Sequence, residues 1–150
     1  MKILFLSQRV PFPPNRGDKI TTWRLVERLA RKHEVTIMAF AHDEADMEGA
    51  EALRAKGFET IAIPIDVRRQ KFKALPQMLG DTPMTLAVFG SPQMQSAVSE
   101  RMQEMDAAYA YSSAMGAFLL PQAKPWVMHF AELGSDKWLQ YAERHHWPLS

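Results

Sequence analysis

Apolar residues run without alternation through residues 2–7 (KILFLS), 34–41 (EVTIMAFA) and 58–65 (FETIAIPI). A strand wetted on one face alternates apolar with polar positions, whereas a strand covered on both faces does not. These segments therefore predict strands buried within a parallel sheet. Residues 106–113 (DAAYAYSS) and 125–132 (PWVMHFAE) read as two more. Between the strands the period changes. Over residues 18–33, Ile20, Trp23, Leu25, Val26, Leu29 and Ala30 are apolar, while Arg24, Glu27, Arg28, Arg31 and Lys32 fall opposite them. That is the spacing of an amphipathic helix. Residues 44–57 predict a helix closed by Gly57, and residues 91–105 one opened by Ser91 and Pro92. Residues 114–121 predict a short helix and residues 135–146 a last one, while residues 68–79 form a basic amphipathic stretch broken at Pro76.

Strands alternating with helices predict an α/β fold: a Rossmann-like three-layer sandwich with a mostly parallel sheet and right-handed crossovers. On such sheets ligands sit where the strands end, near the reversal in strand order. The loops after Leu6, Phe40, Ile65, Tyr111 and Phe130 are thus the expected site of chemistry. A length of 150 residues suits one domain with one real core. A net charge of +1 argues against nucleic acid as the main partner. The absence of cysteine excludes a disulfide scaffold and thiolate metal sites, and fits a reducing compartment. No apolar run reaches the ~20 residues that span a bilayer, so a cytoplasmic protein is expected.

The loop after the first strand carries Pro11, Pro13 and Pro14, then Asn15, Arg16, Gly17, Asp18 and Lys19. It lacks the G-x-G-x-x-G pattern of dinucleotide binders, since only Gly17 is present. No Tyr-x-x-x-Lys pair supports a nucleotide-sugar epimerase either. A glycine ahead of a helix still admits a ligand to the helix amino end, where free N–H groups and the dipole favour an anion or a hydroxyl-rich group. Arg9, Asn15, Arg16 and Lys19 are candidate donors there. The competing reading is a rigid turn in which Asp18 caps the helix.

The segment MKILFLSQRVPFPPNRGDKITTW closely resembles the amino terminus of bacterial sugar transferases associated with exosortase and exopolysaccharide systems. YSSAM (111–115) and SDKWLQYA (135–142) look like two further motifs of this subgroup of the family-4 retaining glycosyltransferases. The resemblance implies a GT-B architecture, two Rossmann-like domains facing across a cleft. It implies that these residues form the amino-terminal, acceptor-side half, with the nucleotide-sugar domain outside this chain and the isolated domain inactive. The partners implied are a nucleotide-sugar and a glycan or lipid-linked acceptor, with no metal and no other cofactor. Arg9, Asn15, Arg16, Gly17, Asp18, Lys19, Ser112, Ser113 and Asp136 are the implied substrate-binding residues, and His129 and Glu132 the implied catalytic ones. Glu132 would hydrogen-bond or deprotonate the acceptor hydroxyl. Family-4 enzymes often place a histidine where this chain has Ser112-Ser113, so a histidine-assisted mechanism is not expected. His129 stands where an aspartate is more usual, and Gly134 replaces an acidic residue.

Each candidate has a rival role. His129, in an apolar run, reads better as a satisfied core histidine. Glu132 and Asp136 compete with Ser135 as caps of the last helix. Adjacent His145 and His146 cannot share one helix face, which leaves little for a metal. Trp23, Trp126 and Trp138 read as packing, and Trp138 alternatively as a sugar platform. Glu51 and Glu59 have the E-x7-E spacing of the donor domain, but one falls on a helix and the other at a strand start, so the match is accidental. Arg68, Arg69, Lys71 and Lys73 interleave with Phe72, Leu75, Met78 and Leu79, which suits either peripheral contact with the inner face of an anionic membrane or a solvated basic face. The alternative to a transferase is a non-catalytic Rossmann-like binding or regulatory domain.

Overall fold

The computed structural model describes residues 1–80 and 89–130. Strand β1 (Lys2–Ser7) leads through a loop into helix α1 (Gly17–Ala30), followed by β2 (Glu34–Ala41), α2 (Glu44–Ala55), β3 (Glu59–Pro64) and α3 (Val67–Ala74). Helix α3 passes into a 3-10 turn at Leu75–Leu79 that contains Pro76, where the helical pattern was expected to break. Helix α4 (Pro92–Met102) precedes β4 (Ala107–Tyr111), the single turn α5 (Ser113–Gly116), a 3-10 turn (Ala117–Leu119) and β5 (Trp126–His129). The last predicted helix, 135–146, lies outside the described residues.

The five strands form one sheet in the order β3-β2-β1-β4-β5, and every pairing is parallel. The fold is α/β, a Rossmann-like three-layer sandwich, as the unalternating strands predict. The physical reason shows in β1 and β2. Leu4 and Leu6 of β1, with Met38 and Phe40 of β2, point into one core, packed by Met94, Val98 and Met102 of α4 and Met115 of α5. Phe5 of β1, with Val35, Ile37 and Ala39 of β2, points into the other core, against Val26 of α1 and Ala50 and Leu53 of α2. Successive side chains feed opposite layers, so both parities must be apolar. Each fully buried leucine or phenylalanine contributes about 1.5–3 kcal/mol over leaving it exposed.

Helix termini follow local chemistry. Asp43 caps α2 by accepting from the Asp46 amide at 2.8 Å, and Ser91 caps α4 by accepting from the Met94 amide at 3.1 Å. Gly57 closes α2 at φ +93°, a conformation that costs other residues more. Trp23 packs edge-on between Phe12 and Phe58, at 5.4 and 5.7 Å, and Trp126 packs against the first core, so both are packing residues.

Helix α1 packs Trp23, Leu25, Val26, Leu29 and Ala30 of its expected apolar face against the second core, and departs from its sequence pattern in its first turn. Its buried residues are Lys19, Thr22 and Val26, while Ile20 of the expected apolar face is exposed. Thr22 satisfies its hydroxyl by donating to the Asp18 carbonyl at 2.8 Å. Lys19 turns inward to reach a carboxylate on α2.

Candidate functional site

Because all five strands run the same way, Ser7, Ala41, Pro64, Tyr111 and His129 end on one edge of the sheet. The chain builds β1, β2 and β3 to one side and then returns to place β4 on the other side of β1. The reversal in strand order therefore falls between β1 and β4, with the loop after Ser7 and the turn at Ser112 beside it.

The loop after β1 is fastened by its own apolar residues. Val10 and Pro11 are buried, and Phe12 lies against Trp23 and under the Lys56 ammonium, which sits 5.1 Å from its ring. Gly49 of α2 meets the Phe12 carbonyl so closely that a Cβ there would collide with it. The loop then emerges into solvent, and residues 13–18 are all exposed. Helix α1 starts at Gly17, one residue before the predicted start. Its cap residue, Arg16, makes no side-chain capping bond, and a Cβ at Gly17 would meet no atom within 4 Å. Asp18 is not the cap; its carboxylate sits 3.5 Å from the Arg16 guanidinium. Asn15, Arg16, Gly17 and Asp18 thus cluster at an open helix tip.

Arg9 and Lys19 do not join that cluster. Both are drawn to Asp46 in the first turn of α2, so the expectation that they present free donors to a ligand is corrected. The Lys19 ammonium lies 2.8 Å from one Asp46 oxygen, and Lys19 and Asp46 are 4% and 1% exposed. The other Asp46 oxygen accepts from Arg9 Nε at 3.1 Å and from the His42 amide at 2.9 Å. The Arg9 guanidinium also reaches Asp43 at 2.9 Å. One carboxylate therefore ties the loop after β1, helix α1 and the loop after β2 together. Burial pushes the Asp46 carboxyl up. The Lys19 hydrogen bond, the His42 amide and the charges of Lys19 and Arg9 outweigh that and hold it below the usual carboxylate value.

His42 was not singled out from sequence. Its Nε2 lies 2.8 Å from the Gln8 carbonyl, which only accepts, so Nε2 carries the proton. Burial depresses its pKa, aided by Arg9, against the opposing pull of the Gln8 carbonyl, Asp46 and Asp43. Beyond it, His42, Asp43, Glu44, Met47 and Asp66 line an open depression of about 440 Å³ where β2 and β3 end. A second depression, of about 430 Å³, lies at the start of α4 between Ser91, Gln95 and Phe118.

On the other side of the reversal, Ser112 adopts φ 101°, a strained conformation for a residue with a side chain. Its amide donates to the His129 carbonyl at 3.0 Å, and its carbonyl accepts from the Gly116 amide at 3.0 Å. Its Oγ is buried with no hydrogen-bond partner among the described residues. Ser113 is exposed as the first residue of α5. His129 is half-buried, its Nδ1 3.0 Å from the Tyr109 hydroxyl and its ring stacked on Tyr111 at 4.9 Å. Burial and the neighbouring Tyr111 push the Tyr109 hydroxyl above its ordinary pKa. These contacts make His129 a packed histidine with Nδ1 bonded to Tyr109.

Ser112 and His129 are thus brought together, and Arg9 and Lys19 are joined through Asp46, but no hydrogen bond or ion pair among the described residues links the two groups. Glu132, Asp136, Ser135, Trp138, His145 and His146 lie outside the described residues. Glu51 is exposed on α2 and pairs with Arg54, while Glu59 opens β3 at the far edge of the sheet and accepts from Thr36 at 3.0 Å. Their E-x7-E spacing builds no site. Among the described residues, no three histidines, cysteines or carboxylates are grouped to hold a metal ion, and no helix is long and apolar enough to cross a membrane.

No family model and no curated protein matches the chain. Among solved structures it is similar to the crystal structure of a predicted subunit of tRNA methyltransferase from Methanocaldococcus jannaschii, at 11% identity. That match covers 95% of this chain and 74% of the other, with a TM-score of 0.46.

Proposed function

We propose that this chain is the acceptor-side domain of a retaining sugar transferase of GT-B architecture, acting on a nucleotide-sugar and a glycan or lipid-linked acceptor in exopolysaccharide synthesis. The observation that carries the reading is the open amino end of α1. Arg16 gives no capping bond and Gly17 has free space around it, on the sheet edge beside the reversal in strand order. The subgroup-like opening segment supplies the residues at that tip.

In this reading the amide groups of the first turn donate to a sugar hydroxyl or to a phosphate of the acceptor, favoured by the helix dipole. The ion pairs of Asp46 hold the loop and the helix in one relative position, so the tip is presented without a search. Holding an acceptor hydroxyl against the anomeric carbon supplies much of a transferase's rate advantage. Charge on the departing nucleoside diphosphate is stabilised by the partner domain. His129, held by Tyr109 and Tyr111, positions the Ser112 turn through its carbonyl.

The test is release of nucleoside diphosphate by the complete gene product from common hexose donors in the presence of lipid-linked glycans. The Gly17→Val variant is compared with wild type for transfer and for thermal unfolding. A side chain at Gly17 meets nothing in the protein, so stability is expected to stay within about 0.5 kcal/mol while transfer falls by at least tenfold. Equal loss of folding and transfer makes the glycine structural. Absence of donor turnover with glycan binding retained makes the chain a binding module instead.

A further inference from the structure

We propose that α3 and the turn after it form a docking strip for an anionic lipid surface. The inference rests on burial and charge and stands apart from the sugar-transfer reading. Two residues seven apart attach the helix: Ala74 is buried, and Val67 packs partly against the core. The remaining surface is turned outward and carries apolar side chains that a stable water-facing helix has no reason to expose. Phe72 is 79% exposed, Leu75 60% and Leu79 94%. Phe72 and Leu75 are three apart and share a face of the helix.

The charge is one-sided. Arg68, Arg69, Lys71 and Lys73 are all exposed, and residues 67–80 contain no carboxylate. Among the described residues no carboxylate pairs with any of the four, although Arg9, Arg16, Arg54 and Arg101 all have acidic partners. An apolar ridge flanked by unpaired cations is the composition of a helix that lies in a membrane interface, ring and leucines in the acyl boundary and cations among anionic headgroups. A protein groove would match the apolar ridge but would need its own dense cluster of carboxylates to match the cations, whereas an anionic bilayer offers both over a flat area. Asp66, which caps α3 by accepting from the Arg69 amide at 3.1 Å, fixes the start of the strip at the end of β3. The strip therefore begins at the sheet edge that also carries the open tip of α1.

The test is co-sedimentation of the chain with vesicles of phosphatidylcholine alone and of phosphatidylcholine mixed with phosphatidylserine. Binding is expected only to the mixed vesicles, with release as salt is raised. The double variant Arg68→Gln/Lys71→Gln is expected to bind about thirtyfold more weakly at low salt, from the usual contribution of each cation near such a surface. Phe72→Ser is expected to weaken binding while keeping its salt dependence. All the altered side chains are exposed, so unchanged thermal unfolding serves as the folding control. Equal binding to both vesicles, binding unaffected by the double variant, or no sedimentation with either vesicle overturns the proposal.

Discussion

Asp46→Asn isolates one charge in the network that joins the three segments. The asparagine keeps the size and an oxygen that accepts from the His42 amide, so the cap region stays intact. What it removes is the negative charge facing Lys19, which is 4% exposed and has Asp46 2.8 Å away. Arg9 keeps Asp43 as a partner, so the cost falls mainly on Lys19. Removing one partner of a buried ion pair costs about 3–5 kcal/mol, because the other charge stays desolvated and unpaired. For a chain of this size each kcal/mol corresponds to about 2–4 °C, so the melting temperature should fall by about 10 °C. Thermal and urea unfolding of wild type, Asp46→Asn, Lys19→Met and the double variant close a thermodynamic cycle. Lys19→Met in the Asp46→Asn background should restore part of the loss, with a coupling energy of about 2 kcal/mol or more. If Asp46→Asn costs under about 1 kcal/mol, the value of an exposed pair, or if the two changes add, the reasoning fails.

The network also sets an acid limit. His42 is harder to protonate folded than unfolded, so stability falls as pH drops through its ordinary value of about 6.5 toward its lower folded value. Asp46 has a depressed folded pKa, so its contribution is present above about pH 4 and is lost as pH falls through the folded value. Both act in the same direction, and His42→Gln should flatten only the upper step in a series of urea midpoints; an unchanged profile removes His42 from the account. Gly49→Ala should cost about 1–3 kcal/mol in thermal unfolding, because the added methyl meets the Phe12 carbonyl and the loop must shift. A melting temperature within about 2 °C of wild type would show that the loop yields freely.

Period alone made the sheet legible. Residues 2–7 and 34–41 are strands over the predicted ranges, because a strand covered on both faces has to be apolar at every position. The caps at Ser91 and the glycine at Gly57 were legible for a similar reason, since each is decided by neighbours within a few residues. Helix α1 was legible in extent and in the face that packs from Trp23 to Ala30, but not in its first turn. Its apolar pattern points Ile20 inward, yet at that end Ile20 is exposed and Lys19 is buried.

The inward turn of Lys19 depends on Asp46, twenty-seven residues away, and on the parallel packing that sets the first turns of α1 and α2 on the same sheet edge. The same packing assigned Arg9 to an ion pair, made His42 a member of the network, and turned His129 toward two tyrosines. Hydrophobic spacing is a property of each segment by itself, so the sequence carries it openly. Which charge meets which is settled only when separate segments are brought within about 3 Å, because a buried charge takes whatever partner the fold places beside it.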